Sequence, residues 1–218
     1  MPVLDSSGNG RAGFVWDAAA ALDDFMDIPT RKRAIRRAMV ARILALGPGD
    51  RRVQEAILAD RLPDLPGFRS AATVLLYVSA FPEEIATGPM LRQVLGRGQR
   101  LVCPRVDRAR RRLGLFRVDD PDRDLVPGTL NIPEPRPECP EVAPEAIDWV
   151  LVPGLAFDDR RYRIGRGAGH YDRLLPSLRP DAPRWALILD CQWVEMLPTE
   201  PHDVSLDGVL SPGKVVSR

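Results

Sequence analysis

The strand-like runs of this chain come in an order that leaves few architectures open. Residues 73–78 (Thr-Val-Leu-Leu-Tyr-Val), 100–103, 113–118, 149–153, 184–189 and 208–210 are short and largely apolar, and most are separated by segments with helical spacing. Short runs that are apolar throughout suit strands buried on both faces. Strands alternating with helices imply βαβ units and a mostly parallel sheet. The expected fold is therefore α/β, a three-layer, mostly parallel sheet with helices on both faces. The chain has 218 residues, enough to bury one full core, so a single domain is expected over 30–218 behind an N-terminal extension at 1–29.

Thr30 is placed to cap a helix over 30–46, with an apolar stripe at Ile35, Met39, Val40, Ile43 and Leu46 and a stop at Gly47-Pro48-Gly49. Further helices are expected over 50–62, 88–95 and 170–178, and residues 17–26 carry a short helical pattern within the extension. The stretch 149–157 reads as buried strand throughout, and the proline-rich stretch 121–144 reads as a connection.

Net charge is +1 and aromatic residues make up 6% of the chain, which argues against a nucleic-acid partner. The arginine-dense run 108–112 reads as a solvated face. The three cysteines, Cys103, Cys139 and Cys191, show no C-x-x-C spacing and are odd in number. That disfavours a zinc site and a disulfide framework and suits a reducing compartment. No apolar run approaches a membrane span, and residues 1–30 lack a signal-peptide core. A cytoplasmic monomer with no membrane partner is expected.

The chemistry is concentrated in residues 163–173, RIGRGAGHYDR. Gly165, Gly167 and Gly169 alternate with other residues, and Arg163, Arg166 and Arg173 add fixed positive charge. Glycine has no Cβ, so backbone N–H groups can turn toward an anion and φ > 0 is accessible. With a strand before it and a helix after it, such a loop has a usual geometry for holding phosphate. It follows neither G-x-x-x-x-G-K-[ST] nor G-x-G-x-x-G. The bland alternative, a surface turn from strand to helix, is weakened by the arginines and by Asp172. A carboxylate beside a phosphate loop is unfavourable unless it binds a metal or pairs with a cation, and Mg²⁺ on nucleotide phosphates uses one or two carboxylates. Asp203 is the candidate for a second one, while His202 reads as a surface turn histidine.

Lysine occurs twice, at Lys32 and Lys214, among 31 Lys and Arg residues. Lys32 stands with Arg31, Arg33 and Arg36 at a helix start, where positive charge opposes the helix dipole. The cluster is accounted for by a bound anion, or equally by Asp27 and solvent. Lys32 and Arg36 are four apart and share one helix face.

Taken in order, these pieces resemble the 5-formyltetrahydrofolate cyclo-ligase family from about residue 31 to residue 215. The resemblance is carried by Lys32-Arg33-Ala34-Ile35-Arg36, by Glu84-Ile85-Ala86-Thr87, and by Asn131-Ile132-Pro133-Glu134-Pro135, similar to the family's G-I-x-E-P. Val152-Pro-Gly-Leu-Ala-Phe-Asp158 and the glycine loop follow, then Gln192, Leu197-Pro198, Glu200, His202-Asp203 and Asp207. It implies an ATP- and Mg²⁺-dependent ligase that cyclises 5-formyltetrahydrofolate to 5,10-methenyltetrahydrofolate and releases ADP and phosphate, with a reduced folate as its small-molecule substrate. By the same resemblance ATP is contacted by Lys32, Arg33, Ala34, Ile35 and Arg36, and by the loop residues Arg163, Ile164, Gly165, Arg166, Gly167, Ala168, Gly169, His170 and Tyr171. Lys32 and Arg163 are the implied catalytic residues, Arg36, Glu84 and Tyr171 the folate contacts, and Asp172 and Asp203 the Mg²⁺ carboxylates. Phosphoryl transfer of this kind needs positioning and charge neutralisation more than a protein nucleophile.

The chain departs from the family at Arg161 and Ala168, where glycine is frequent, and at His170, where tyrosine or phenylalanine is frequent. Ala168 is tolerated if that position needs no positive φ, and His170 keeps a flat ring whose contacts are open to pH. The competing reading is a non-catalytic relative that binds nucleotide or folate and regulates another process; the two metal carboxylates argue against it. An NAD-binding Rossmann protein is disfavoured because the glycines come late in the chain.

Overall fold

A computed structural model describes residues 27–128 and 131–218; the helical pattern at 17–26 lies outside them. Among the described residues, five parallel strands form the centre of a seven-stranded sheet. In spatial order they are β2 (Arg100–Asp107), β1 (Thr73–Leu75), β6 (Trp149–Leu151), β9 (Arg184–Leu187) and β10 (Gly208–Leu210). Antiparallel β3 (Arg112–Arg117) and β11 (Val215–Ser217) form the two edges.

Both faces of the sheet are covered. Helices α1 (Ile28–Leu44), α2 (Pro48–Arg61) and α3 (Gly88–Gly96) lie on one face, where Met39, Leu58 and Met90 join Val74, Leu76 and Trp149 in one cluster. On the other face α5 (His170–Leu174) and the 3-10 turn Leu175–Ser177 bring Leu174 and Leu175 against Leu75, Val150 and Ala186. Alternate strand residues thus enter opposite clusters, as the pleat requires, and every residue of β1 and β6 is buried. The three-layer α/β architecture is the one expected.

Local details differ for identifiable reasons. Asp27, not Thr30, caps α1: its carboxylate accepts the Thr30 amide at 2.8 Å, and Pro29 occupies the first turn, where a missing N–H costs nothing. The helix expected over 170–178 becomes 3-10 after Leu174, because Pro176 cannot donate the next α-helical bond. The stretch 149–157 is not one strand. The chain leaves the sheet after Leu151, and β7 (Ala156–Phe157) pairs instead with β8 (Arg163–Ile164) in a small antiparallel hairpin. Residues 121–144 are more than a connection: α4 (Pro121–Asp124) leads into β4 (Leu125–Pro127), which pairs with β5 (Pro133–Pro135). Arg108, Arg110, Arg111 and Arg112 are exposed, as a solvated face should be. No helix among the described residues is long and apolar enough to cross a membrane.

The topology also places a crevice. β1 crosses through α3 to β2 on one side, whereas β6 leads to β9 and β10 on the other. The winding reverses between β1 and β6, and open α/β sheets bind ligands beyond the carboxyl ends of the strands at such a point.

Candidate functional site

A cleft of about 340 Å³ opens there, within the range of small-molecule sites. Its lining combines charged groups from α1, from the loop between β8 and α5, from residues 200–203 and from Glu83, Glu84 and Glu134 with apolar surface from Tyr77, Val78, Leu113, Ile132 and Leu155.

Lys32 enters from α1. It lies on the same buried stripe as Ile35, Met39 and Ile43, so helical periodicity takes it inside like a core residue, and it is only 6% exposed. Its ammonium donates to Asp203 Oδ2 at 2.6 Å and to Glu200 Oε2 at 2.9 Å. Burial alone would lower the Lys32 pKa, but the hydrogen bonds to Asp203 and Glu200 outweigh it and hold the group above its ordinary 10.5. Burial likewise opposes ionisation of Asp203, yet Lys32 and the Glu200 N–H hold its carboxyl below the ordinary 3.8. One turn along α1, Arg36 Nε donates to the Gly165 carbonyl at 2.8 Å, fastening the helix to the glycine loop.

In that loop Gly167 and Gly169 stand at φ +103° and +66°, a region that glycine enters without steric cost. Ala168 between them has no positive φ, so a residue with a Cβ is tolerated. Arg161 is at φ +68°, a position where glycine would relieve about 1 kcal/mol of strain. Arg163 is buried, and both its Nη groups donate to Asp172 Oδ1, at 2.9 and 3.0 Å. Among the described residues, its Nε and the Tyr171 hydroxyl are buried without a hydrogen-bond partner. Burial pushes the Tyr171 pKa well up, which keeps the phenol a donor. Burial, then the charge of Arg173, hold His170 below 6.5, so the imidazole is neutral at pH 7 and titrates only in acid.

Arg166 crosses the cleft. It is ion-paired with Glu83, its Nε lies 3.6 Å from Glu84 Oε1, and its guanidinium stacks 3.3 Å above the Phe81 ring. Glu84 Oε2 in turn accepts the amides of Ala80 and Phe81 at 2.9 and 3.2 Å, shaping the turn that carries it.

Lys32, Arg36, Glu84, Asp172, Asp203 and the whole loop 163–171 therefore meet at one cleft. Arg33, Ala34 and Ile35 do not line it: Arg33 is exposed, Ala34 half-buried, and Ile35 packed into the core. Side chains four apart share a helix face, so only residues 32 and 36 of that run reach the cleft. The two aspartates are held differently. Asp203 belongs to a group with Glu200 and His202 whose ligand atoms all lie within 4.8 Å of one another, whereas Asp172 is held by Arg163. Hard carboxylate oxygens suit a divalent cation such as Mg²⁺, and the unpartnered Arg163 Nε and Tyr171 hydroxyl suit a polyanion with acceptor oxygens.

Sequence reasoning missed Glu83 and Phe81, which carry no local signal, and took Glu200 and Glu134 only as parts of motifs. Glu134 is buried in the cleft wall, where it accepts the Val106 amide at 3.3 Å. Lys32 had a clearer signal than its rarity: a lysine on the buried stripe of an amphipathic helix.

Fold and site define an α/β enzyme with a charged, glycine-lined cleft at the switch point of its sheet. Residues 29–212 match the 5-formyltetrahydrofolate cyclo-ligase family. The 5-formyltetrahydrofolate cyclo-ligase of Escherichia coli K12 is 32% identical over 173 residues, covering 78% of this chain and 94% of that protein. The mitochondrial 5-formyltetrahydrofolate cyclo-ligase of Arabidopsis thaliana is 29% identical over 210 residues, 85% of this chain and 76% of the relative. The NMR structure of Aquifex aeolicus 5,10-methenyltetrahydrofolate synthetase superposes with a TM-score of 0.75 at 30% identity, covering 85% of this chain and 92% of that one. A synthetase from Mycoplasma pneumoniae, at 22% identity and a TM-score of 0.66, shares the fold. The chain belongs to the 5-formyltetrahydrofolate cyclo-ligase family and is a ligase.

Proposed function

We propose that this chain cyclises 5-formyltetrahydrofolate to 5,10-methenyltetrahydrofolate in an ATP- and Mg²⁺-dependent reaction that releases ADP and phosphate. The observation that carries the proposal is that one cleft brings Lys32, Arg36 and Arg163 around a glycine loop together with apolar side chains (Tyr77, Val78, Leu113, Ile132 and Leu155) suited to a flat ring.

The chemistry asks for both sets of residues. A formamide oxygen is a poor leaving group until it is phosphorylated. In the proposed reaction the N5-formyl oxygen attacks the γ-phosphorus and ADP departs. N10 then attacks the formyl carbon and loses its proton to solvent. The C–O bond breaks, phosphate leaves with the oxygen, and the methenyl cation remains. Lys32 and Arg163 neutralise the charge on the transferred group, a term in which fixed donors in a partly dry site act strongly. Amides of 163–171 and the Arg36 guanidinium cradle the triphosphate, while Arg36, Glu84 and Tyr171 contact the folate. Asp172 and Asp203 would hold Mg²⁺, which when bound supplies charge neutralisation on the phosphates. In this reading the enzyme is a cytoplasmic monomer with residues 30–218 as its catalytic domain and 1–29 as an appendage.

The test is to mix the purified chain with 5-formyltetrahydrofolate, ATP and Mg²⁺ and follow the absorbance of the methenyl product. Product that requires both ATP and Mg²⁺ is expected. No product from a protein that still binds ATP would overturn the reaction and leave a nucleotide-binding relative.

A further inference from the structure

Arg166 points away from the phosphates its own loop is suited to hold. It stands between Gly165 and Gly167, yet its side chain reaches across the cleft to the segment after β1. There it pairs with Glu83, approaches Glu84 Oε1 to 3.6 Å and lies 3.3 Å above the Phe81 ring. Glu83 is 7% exposed, and a carboxylate so buried is strongly disfavoured without a cation or donors.

The shape of this contact is informative. A planar N–C–N group that donates to a carboxylate while stacked on a phenyl ring is what the amino-pyrimidine edge of a reduced folate would also present. At 3.3 Å the guanidinium is in full stacking contact, so a flat ligand cannot share that face of Phe81 with it. A triphosphate offers Arg166 a competing partner with more negative charge and paired oxygens for bidentate bonding. The residue is flanked by Gly165 and Gly167, whose missing Cβ atoms leave its side chain room to change rotamer while Arg36 holds the backbone at the Gly165 carbonyl.

Resting on the function proposed above, we propose that Arg166 is an internal placeholder coupling the two ligands. Without nucleotide it covers Phe81 and neutralises Glu83; a bound triphosphate draws it off and opens that face to the folate ring. Once Arg166 has left, Glu83 needs the folate's N–H donors, so each ligand favours the other, and by linkage the two enhancements are equal. Glu83 thus holds Arg166 while nucleotide is absent and accepts from the folate in its place once Arg166 has moved.

Titration calorimetry of 5-formyltetrahydrofolate, with and without a non-hydrolysable ATP analogue and Mg²⁺, tests this in the wild type, Arg166→Ala and Glu83→Gln. In the wild type the analogue should tighten folate by about fivefold or more, and folate should tighten the analogue equally. In Arg166→Ala the factor should fall to about one, with folate binding in the absence of nucleotide at least as tight as in the wild type. Glu83→Gln keeps the size but releases Arg166, so its coupling should also collapse, and its KM for folate should lose its dependence on ATP concentration. Thermal melting identifies a variant that has failed to fold, in which case the other variant decides. Independent binding of the two ligands in the wild type, or coupling that survives in a folded variant, overturns the placeholder alone. No folate binding under any condition overturns the proposed function together with it.

Discussion

Lys32 holds a full charge where helix geometry reserves space for a core residue, and Glu200 and Asp203 make that tolerable. Arg163 is the matching case in the loop, buried and held by Asp172 alone among ion-pair partners of the described residues. Asp172→Asn keeps an acceptor for Arg163 but removes the compensating charge. The fold should survive with a loss of about 1–3 kcal/mol, seen as native circular dichroism with a lowered melting temperature. Turnover should fall by about 10²-fold or more; Mg²⁺-dependent activity near the wild-type level would remove Asp172 from the site. Lys32, Arg36, Asp172 and Asp203 could be found in the sequence because each is chemically odd in its local setting. Glu83 and Phe81 could not, because their meaning lies in what stands opposite them.

At the scale of elements, the hairpin β7–β8 delivers Arg163, and Asp158 organises it. That side chain is fully buried; Oδ1 accepts the amides of Arg160 and Tyr162 at 3.0 and 3.1 Å, and Oδ2 accepts the Leu197 amide at 3.1 Å and Arg160 Nη2 at 2.7 Å. One carboxylate therefore joins the hairpin to the segment that carries Glu200 and Asp203. Asp158→Ala strands a set of buried donors and should cost about 3 kcal/mol or more in urea denaturation, with ATP affinity falling alongside. A loss below about 1 kcal/mol would show that the hairpin stands without it. Such elements are hard to read from sequence. Strands of two or three residues carry no period, and prolines such as Pro127, Pro133 and Pro135 argue against strand where an isolated hairpin in fact accepts them. The longer helices α1 and α3 were legible because burial repeats along them.

For the whole molecule, the pair Lys32–Asp203 joins the first helix to the C-terminal segment across 171 residues of chain, and its contribution has a definite pH range. Asp203 is depressed below 3.8, so its contribution is present above that value and is lost as pH falls through the still lower folded pKa. Lys32 is raised above 10.5, so its contribution is present below that value and is lost as pH rises through the higher folded pKa. The stability advantage of the wild type over Asp203→Asn should therefore be level across neutral pH and shrink in acid below 3.8. Thermal melts of both proteins across that range check it, and an advantage that persists unchanged at the lowest pH would contradict the pairing.

The sequence alone determined the α/β class, the mostly parallel sheet, the glycine loop and the identity of most charged groups at the cleft. These follow from local periodicity and from residue types whose chemistry shows in a short window. Only the tertiary structure decided which charges face one another: Lys32 with Asp203 and Glu200, Arg163 with Asp172, Arg166 with Glu83 rather than the phosphate side. The first and third of these join segments brought together by the sheet's reversal between β1 and β6 and by the loops that leave it there. No local pattern encodes a partner that is fixed by the closing of the whole chain around its core.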